Sequence, residues 1–290
     1  RLSPDQHRQV LDLLDAAHDL DCARLNDHLK VDLTQGPRDG FRAVLLYEDH
    51  GTLAGYGQAS TGNGGFVIDG IVPSAYDGDP DAALADLLRH LLEHLPAGSR
   101  VTWWAHPDSA SRAIATTLGM QPDRQLLMME AELPVEVSTD VEVRPFQPGT
   151  DDEAWLRVNN AAFAAHGEQG GWDLSMLRQR QAEDWFDPNG FLLHEREGRL
   201  AAFCWVKMHA ADDDSPLVGE IYVVAVHPDF HGLGLGRDLT VAGLHYMSAQ
   251  GAVTAMLYVD ATNNPAVGLY RSLGFETAHT EQSYLRPARS

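Results

Sequence analysis

Apolar side chains recur every three to four residues between positions 84 and 95, at Leu84, Leu87, Leu88, Leu91, Leu92 and Leu95. This spacing places them on one face of a helix, and it predicts an amphipathic helix whose leucines belong to the core. In the second half of the chain, "GFLLHEREGRLAAFCWVKMH" (190–209) predicts two strands joined by a turn at "REGR". Asp151 before "EAWLRVNNAAF" predicts the start of another helix.

The span from Thr240 to Val259 carries no charged side chain, and its length is close to that of a membrane helix. Ser248, Gln250 and Gly251 interrupt it, and the tail "AVTAMLYV" is typical of a strand. We therefore predict a helix followed by a buried strand.

Three segments of the first half echo three segments of the second half in the same order. They are "TLAGYGQAS" (52–60) with "RLAAFCWVK" (199–207), "GFVIDGIVPSAY" (65–76) with "GEIYVVAVHPDF" (219–230), and "SASRAIATTLGMQ" (109–121) with "NPAVGLYRSLGFE" (264–276). Such a period is too long for a solenoid, so we predict two copies of one α/β domain. Each copy is expected to be a mixed, mostly antiparallel sheet flanked by helices, with domains at 1–134 and 141–290 and a linker at 135–140.

The net charge of −21, from 21 basic and 42 acidic residues, argues against nucleic acid or an anionic membrane as a partner. Cys22 and Cys204 stand far apart, and the 14 histidines show no HExxH pattern, so no metal site is expected. The two isolated cysteines favour a reducing, cytoplasmic compartment, and we expect a monomer.

"VVAVHPDFHGLGLGRDL" (223–239) carries three alternate glycines between a β-branched run and the start of a helix. A strand, a glycine loop and a helix N-terminus together direct backbone N–H groups at an anion. Arg237 at the helix start opposes the helix dipole, which favours an anion-binding role. The alternative is a turn that needs glycine for conformational reasons only.

This segment resembles the pyrophosphate loop of the GNAT N-acetyltransferases, and "NPAVGLYRSLGF" (264–275) resembles their final motif. "RVNNAAFAAHGEQGGW" (157–172) and "AEDWFDPNGFLL" (182–193), together with the tandem arrangement, are similar to the mycothiol synthases within that superfamily. The resemblance covers the second copy closely and the first copy in outline. It implies tandem GNAT domains and transfer of acetyl from acetyl-CoA to the cysteinyl amine of cysteinyl-glucosaminyl-inositol.

The resemblance also implies how the second copy would hold acetyl-CoA. The strand would pair with the pantetheine arm, the loop would bind the pyrophosphate, and the last helix would close over the cofactor. The implied residues are Val224, Ala225, Val226, His231, Gly232, Leu233, Gly234, Leu235, Gly236, Arg237, Asn263, Asn264, Pro265, Ala266, Val267 and Gly268. His231 departs from the family, which often has Gln or Arg there.

Two side chains take catalytic roles by the same resemblance. Glu220 would accept the proton of the amine through water, and Tyr270 would protonate the departing CoA thiolate. The acceptor contacts would come from Asp27, Glu168, Lys207, Glu220 and Tyr258. The residues alone leave plainer alternatives open: a solvated acid at the edge of a strand for Glu220, and a packed helical tyrosine for Tyr270.

The first copy reads "PSAYDGDPDAAL" (73–84) where the second has its glycine loop. Asp77, Asp79 and Asp81 would repel a pyrophosphate, and Pro80 removes an amide donor. We therefore expect that the first copy does not catalyse. Other functions stay open at this point: an N-acetyltransferase for a protein N-terminus or an aminoglycoside, or a non-catalytic acetyl-CoA sensor.

Overall fold

The computed structural model describes residues 1–21, 25–62, 64–164, 169–209 and 216–288. The chain divides into two compact units, of which unit 1 is Arg1–Gln125 with Thr280–Ser290 and unit 2 is Leu126–His279. The domain limits expected from the sequence stay a prediction.

The helices are α1 (Pro4–Asp21), α2 (Asp27–Thr34), α3 (Pro80–Glu93), α4 (Ser109–Thr117), α5 (Asp152–Ala162), α6 (Leu174–Gln181), α7 (Leu235–Ala249) and α8 (Asn264–Ser272). The strands are β1 (Arg42–Tyr47), β2 (Leu53–Gly62), β3 (Gly65–Ile71), β4 (Val101–Ala105), β5 (Gln121–Glu132), β6 (Arg144–Pro145), β7 (Phe191–Arg196), β8 (Arg199–His209), β9 (Val218–Val226), β10 (Thr254–Asp260) and β11 (Glu276–Arg286).

In unit 1 the strands run in the order β1-β2-β3-β4-β11. Neighbours are antiparallel except β3 and β4, which are parallel from Phe66 to Ile68. The last strand of the chain completes this sheet, because Gln282–Arg286 of β11 pair with β4. The leucine face of α3 packs on the sheet, and Leu87, Leu88 and Leu91 are buried.

In unit 2 the order is β5-β10-β9-β8-β7-β6. Here too one neighbouring pair, β9 with β10, is parallel, while β5 pairs with β10 in antiparallel fashion. One apolar cluster lies between the sheet and helices α7 and α8, and includes Leu239 and Leu244. A second cluster, rich in aromatic rings around Trp155 and Trp205, lies on the opposite face under α5 and α6. Helices therefore cover both faces of this sheet, as predicted.

The charge-free span resolves into the end of α7 and the strand β10, which confirms the helix-and-strand prediction. Among the described residues, no helix is long and apolar enough to cross a membrane. The predicted turn at "REGR" is also present, with β7 and β8 paired antiparallel on either side of it. Helix α5 starts directly after Asp151, as expected.

A buried carboxylate organises the start of unit 1. Asp32 accepts hydrogen bonds from Arg38 Nε and Nη2, both at 2.8 Å, and from Ser60 Oγ at 2.5 Å. Burial would raise the pKa of Asp32, but the hydrogen bonds from Arg38 and Ser60 outweigh it and lower that pKa to about 2. This carboxylate ties α2 to the adjoining loop and to β2.

We expect Asp32→Asn to destabilise the protein by about 2 kcal/mol at neutral pH, because the charged partner of Arg38 is lost. The stabilisation is present above the unfolded pKa of 3.8 and disappears as the pH falls through about 2, so the difference from wild type shrinks in acid. Urea unfolding at pH 7 and pH 3 measures it. Asp5→Asn, in an exposed pair with Arg8 at 3.6 Å, should change stability little at either pH.

Candidate active site

Strand β9 loses its neighbour on one side partway along its length. Its pairing with β10 covers only Val218–Ile221 against Thr254–Leu257, after which β10 continues beside β5. Its pairing with β8 continues to Val226, with a bulge at Tyr222 between the Trp205 and Val206 positions. An open edge of backbone N–H and C=O groups therefore faces the gap between β9 and β10.

The register assigns the groups on this open edge. His227 N–H donates to Ala201 O at 2.8 Å, so by antiparallel alternation Ala225 directs its own N–H and C=O at β8. Val224 and Val226 direct theirs into the gap, and Val226 O accepts a hydrogen bond from His231 Nε2 at 3.0 Å. An extended amide ligand could add to this edge as a further strand.

The glycine loop follows β9 and leads into α7. Gly232 and Gly234 have φ values of 80° and 79°, a left-handed conformation that L side chains rarely adopt. Among the described residues, the N–H groups of residues 232–237 donate to no protein acceptor, since the first bond of α7 runs from Asp238 N to Gly234 O at 3.2 Å. Open amides at a helix N-terminus are an arrangement that can bind an anion.

Two cationic or titratable side chains border the loop. Arg237 is about half exposed and lies 3.5 Å from Asp238 Oδ1, a distance too long to hold it in place. His231 is exposed and is held through its Nε2 by Val226 O. Among the described contacts, neither side chain bonds to an amide of the loop.

Helix α8 follows β10 and begins with an Asn cap. Asn263 Oδ1 accepts from Ala266 N at 3.3 Å, and Pro265 lies in the first turn. Asn264 N donates to Thr262 O at 2.9 Å, while Val267 is buried in the core. A Cβ added at Gly268 would meet nothing within 4 Å, so this face of α8 has room for a ligand.

Tyr270 lies in the same helix and points inward. Its side chain is buried in the cluster under α7 and packs against Phe275, with ring centroids 5.9 Å apart. Burial, with a smaller contribution from Cys204, raises the pKa of Tyr270 to about 12. The phenol therefore keeps its proton at physiological pH.

Glu220 lies on β9, one residue before the end of the parallel pairing, and is 8% exposed. His209 Nε2 donates a hydrogen bond to Glu220 Oε2 at 2.8 Å, and Lys207 Nζ lies 4.0 Å from the same oxygen. Lys207 also lies over the ring of Trp185, at 5.2 Å from its centroid. A buried carboxylate between two basic groups is an arrangement that can accept a proton from an amine.

Comparison with known proteins identifies the family. The acetyltransferase (GNAT) family model matches residues 155–275. The mycothiol acetyltransferase of Thermomonospora curvata is 43% identical over 99% of this chain and 95% of its own length. That of Acidothermus cellulolyticus is 40% identical over 99% and 93%. This chain belongs to the mycothiol acetyltransferase family. It is an acetyl-CoA-dependent acyltransferase, and the family expected from its motifs is confirmed.

Solved structures support the fold of a mycothiol acetyltransferase family member with tandem GNAT domains. A GCN5-related N-acetyltransferase from Sphaerobacter thermophilus superposes with a TM-score of 0.73 at 20% identity, covering 100% of this chain and 95% of that one. A tandem GNAT protein from the clavulanic acid biosynthesis pathway gives 0.70 at 15% identity, with 99% and 96% covered. The predicted fold class is therefore confirmed.

For a mycothiol acetyltransferase family member, the site contains side chains that motif reasoning missed. His209 bonds to Glu220, and the ring of Trp185 lies against Lys207. Tyr222 packs on Trp185, with ring centroids 4.9 Å apart. Burial raises the pKa of Tyr222, with opposing influence from the charge of Arg180 and added influence from Glu220. The sequence did contain one indication of His209, because it lies two residues after Lys207 in a strand and therefore shares its face of the sheet.

The remaining predicted acceptor contacts are Tyr258, Asp27 and Glu168, and their roles stay predictions. Tyr258 on β10 is 45% exposed, just beyond the last residue that pairs with β9. Asp27 begins α2, but its side chain, like the whole of Glu168, lies outside the described residues. The described contacts do not join Tyr270 to Glu220. The free thiol of Cys204 is buried, and burial raises its pKa.

In the first copy, the helix that corresponds to α7 is α3, and its N-terminus is capped by the side chain of Asp79. Asp79 Oδ1 accepts from Asp81 N at 3.1 Å and from Ala82 N at 3.2 Å, so the carboxylate occupies the N-terminus of α3. Pro80 has no N–H to offer. An anion at the N-terminus of α3 would therefore meet the negative charge of Asp79, whereas the N-terminus of α7 presents amides without a partner among the described residues.

Proposed function

We propose that unit 2 transfers the acetyl group of acetyl-CoA to the cysteinyl amine of cysteinyl-glucosaminyl-inositol, the last step of mycothiol biosynthesis. One observation carries the proposal. The open edge of β9 runs from the buried Glu220 to the unbonded amides of residues 232–237. A thioester arm along this edge would reach from a phosphate site at one end to a base at the other.

The residues present fit acetyl-CoA. Amides of the glycine loop and the dipole of α7 would bind the pyrophosphate, with Arg237 adding positive charge from the loop side. Val224 and Val226 would pair with the amides of the pantetheine arm. A main-chain N–H of this edge would also polarise the thioester carbonyl. Gly268 and the start of α8 would leave space beside the arm.

Glu220 would act on the acceptor. The amine is cationic at neutral pH and must lose a proton before its lone pair can attack the carbonyl carbon. Glu220 Oε1 would take that proton, directly or through one water, while the C–N bond forms and the C–S bond breaks. Trp185 and Lys207 would line the acceptor side, where a polyol needs an aromatic surface and hydrogen-bond donors.

Tyr270 would supply the proton to the departing thiolate. A phenol whose pKa is about 12 keeps its proton and passes it to a thiolate only as negative charge develops on sulfur. The nitrogen loses a second proton once the C–N bond has formed, and this proton would restore the Tyr270 phenol through solvent. Glu220 would release the first proton to solvent, so the overall reaction yields an amide, CoA as its free thiol and one proton.

We expect Tyr270→Phe to lower kcat by about 10²-fold or more while the dissociation constant for acetyl-CoA stays within about twofold of wild type. The ring still fills its site, so folding should persist. Tyr246→Phe is the control. Tyr246 lies on α7 and its hydroxyl donates to Asp187 Oδ2 at 2.5 Å, so its loss should lower stability and leave kcat unchanged. An unchanged kcat in Tyr270→Phe would remove this residue from the mechanism.

We propose further that unit 1 does not catalyse, because Asp79 fills the helix N-terminus that would bind phosphate. Isothermal titration of acetyl-CoA should give a stoichiometry of one per chain. Two equivalent sites would contradict this assignment.

The decisive experiment offers the purified protein acetyl-CoA with one amine at a time: cysteinyl-glucosaminyl-inositol, glucosaminyl-inositol without the cysteine, and an aminoglycoside. Mass spectrometry of the product distinguishes N-acetylation from S-acetylation, which matters because the acceptor also carries a thiol. The highest kcat/KM is expected for the cysteinyl compound. A preference for the aminoglycoside, or no turnover with any amine, would overturn the proposal.

A further inference from the structure

His209 makes the only described hydrogen bond to the Glu220 carboxylate. Its Nε2 lies 2.8 Å from Oε2, whereas Lys207 Nζ at 4.0 Å from the same atom is beyond hydrogen-bond range. Among the described residues no donor bonds Oε1. The two carboxylate oxygens are therefore distinct: one is held and one is available.

The register between β8 and β9 explains why the His209 imidazole can reach the Glu220 carboxylate. Lys207 pairs with Glu220 and His209 with Val218, two positions along the same two strands. Residues 207 and 209 share one face of β8, so the imidazole reaches the carboxylate diagonally and Lys207 reaches it from directly opposite. The His209 side chain is 37% exposed and that of Glu220 is 11% exposed, so the histidine lies at the solvent side of the pair.

We infer that His209 is a positioning residue for the acyl transfer: it holds Glu220 Oε2 and thereby turns Oε1 toward the acceptor amine. The inference rests on the proposed role of Glu220 as the base. The Glu220 carboxylate can rotate about the bond from Cγ to Cδ, and a single strong donor fixes that rotation. Lys207 supplies charge to the same oxygen but no fixed direction.

The test compares His209→Ala with His209→Gln. Alanine removes the donor, and kcat is expected to fall about tenfold to a hundredfold, the size typical of partners that orient a reacting group. Glutamine places an amide N–H close to the position of Nε2, so it should recover most of the lost kcat. KM for acetyl-CoA and the melting temperature should stay near wild type in both variants, since the cofactor edge lies elsewhere on β9.

His245→Ala is the matched control, because it removes an imidazole of unit 2 whose Nε2 bonds Val137 O at 2.8 Å, and it should leave kcat unchanged. In a Glu220→Gln background, His209→Ala should cost nothing further, since the two residues act as one unit.

The outcomes separate the two ideas. If Glu220→Gln is active, the proposed base fails. If Glu220→Gln is impaired but His209→Ala is fully active, or if glutamine rescues nothing while alanine is impaired, the positioning role fails and the base stands.

Discussion

Glu220→Gln is expected to lower kcat/KM for the acceptor by about 10²-fold to 10⁴-fold, the usual contribution of a general base. The amide has the shape of the carboxylate and can still accept from His209 Nε2, so the variant should fold normally. It cannot take a proton from the amine. Steady-state kinetics with the cysteinyl acceptor, together with a direct measurement of acetyl-CoA binding, check the result.

Glu195→Gln provides the control for this variant. Glu195 is an exposed carboxylate of unit 2 that pairs with Arg144 Nε at 2.9 Å, and its loss should change kcat/KM by less than twofold. Acetyl-CoA affinity should be normal in both variants, because neither residue lies on the glycine loop. Wild-type turnover in Glu220→Gln would assign proton removal to water or to another group.

Gly234→Val is expected to raise KM for acetyl-CoA by about 10-fold to 100-fold with a smaller change in kcat. Gly234 has a φ of 79°. A β-branched side chain adopts this conformation only at a cost of about 1–2 kcal/mol. An added Cβ would meet nothing closer than Asp238 Oδ2 at 3.9 Å, so the effect is conformational. A shifted backbone turns the loop amides away from phosphate, and each lost charged hydrogen bond costs about 1.5–3 kcal/mol.

Gly251→Val tests whether backbone strain alone explains the effect. Gly251 follows the other end of α7, has a φ of 90° and likewise has open space around a built Cβ. Both substitutions should lower the melting temperature by similar amounts. Only the substitution at Gly234 should weaken acetyl-CoA binding, and equal loss in both would refute the loop as the phosphate site.

Local patterns were enough to predict much of the fold. The leucine spacing of α3 and the turn between β7 and β8 depend on residues close in sequence, so periodicity reveals them. The exchange of strands between the two copies could not be predicted in this way: β5, from the first half of the chain, pairs with β10, and β11, from the second half, pairs with β4. Nothing in the sequences of β5 and β11 says which copy each completes, because the choice depends on pairing across more than a hundred residues.

The candidate site also has parts that local sequence predicts and parts that depend on pairing between distant strands. The glycine loop has a compact sequence motif, and Gly232 and Gly234 in it have positive φ values. The open edge of β9 has no such motif, since "IYVVAV" is β-branched or aromatic at every position except Ala225 and gives no sign of the bulge at Tyr222. The pairing of His209 with Glu220 likewise depends on the register between two strands. Acceptor specificity leaves even less trace, because polar contacts to a sugar have no fixed spacing.

The exchange of final strands has a consequence for biosynthesis. Unit 1 obtains the partner of β4 from residues near position 285, so its sheet stays incomplete while the ribosome translates all of unit 2. Unit 1 therefore cannot complete its sheet in the usual order, in which an N-terminal domain folds before the next one emerges. Until residues 282–286 are made, β4 has an exposed edge that can template aggregation of nascent unit 1.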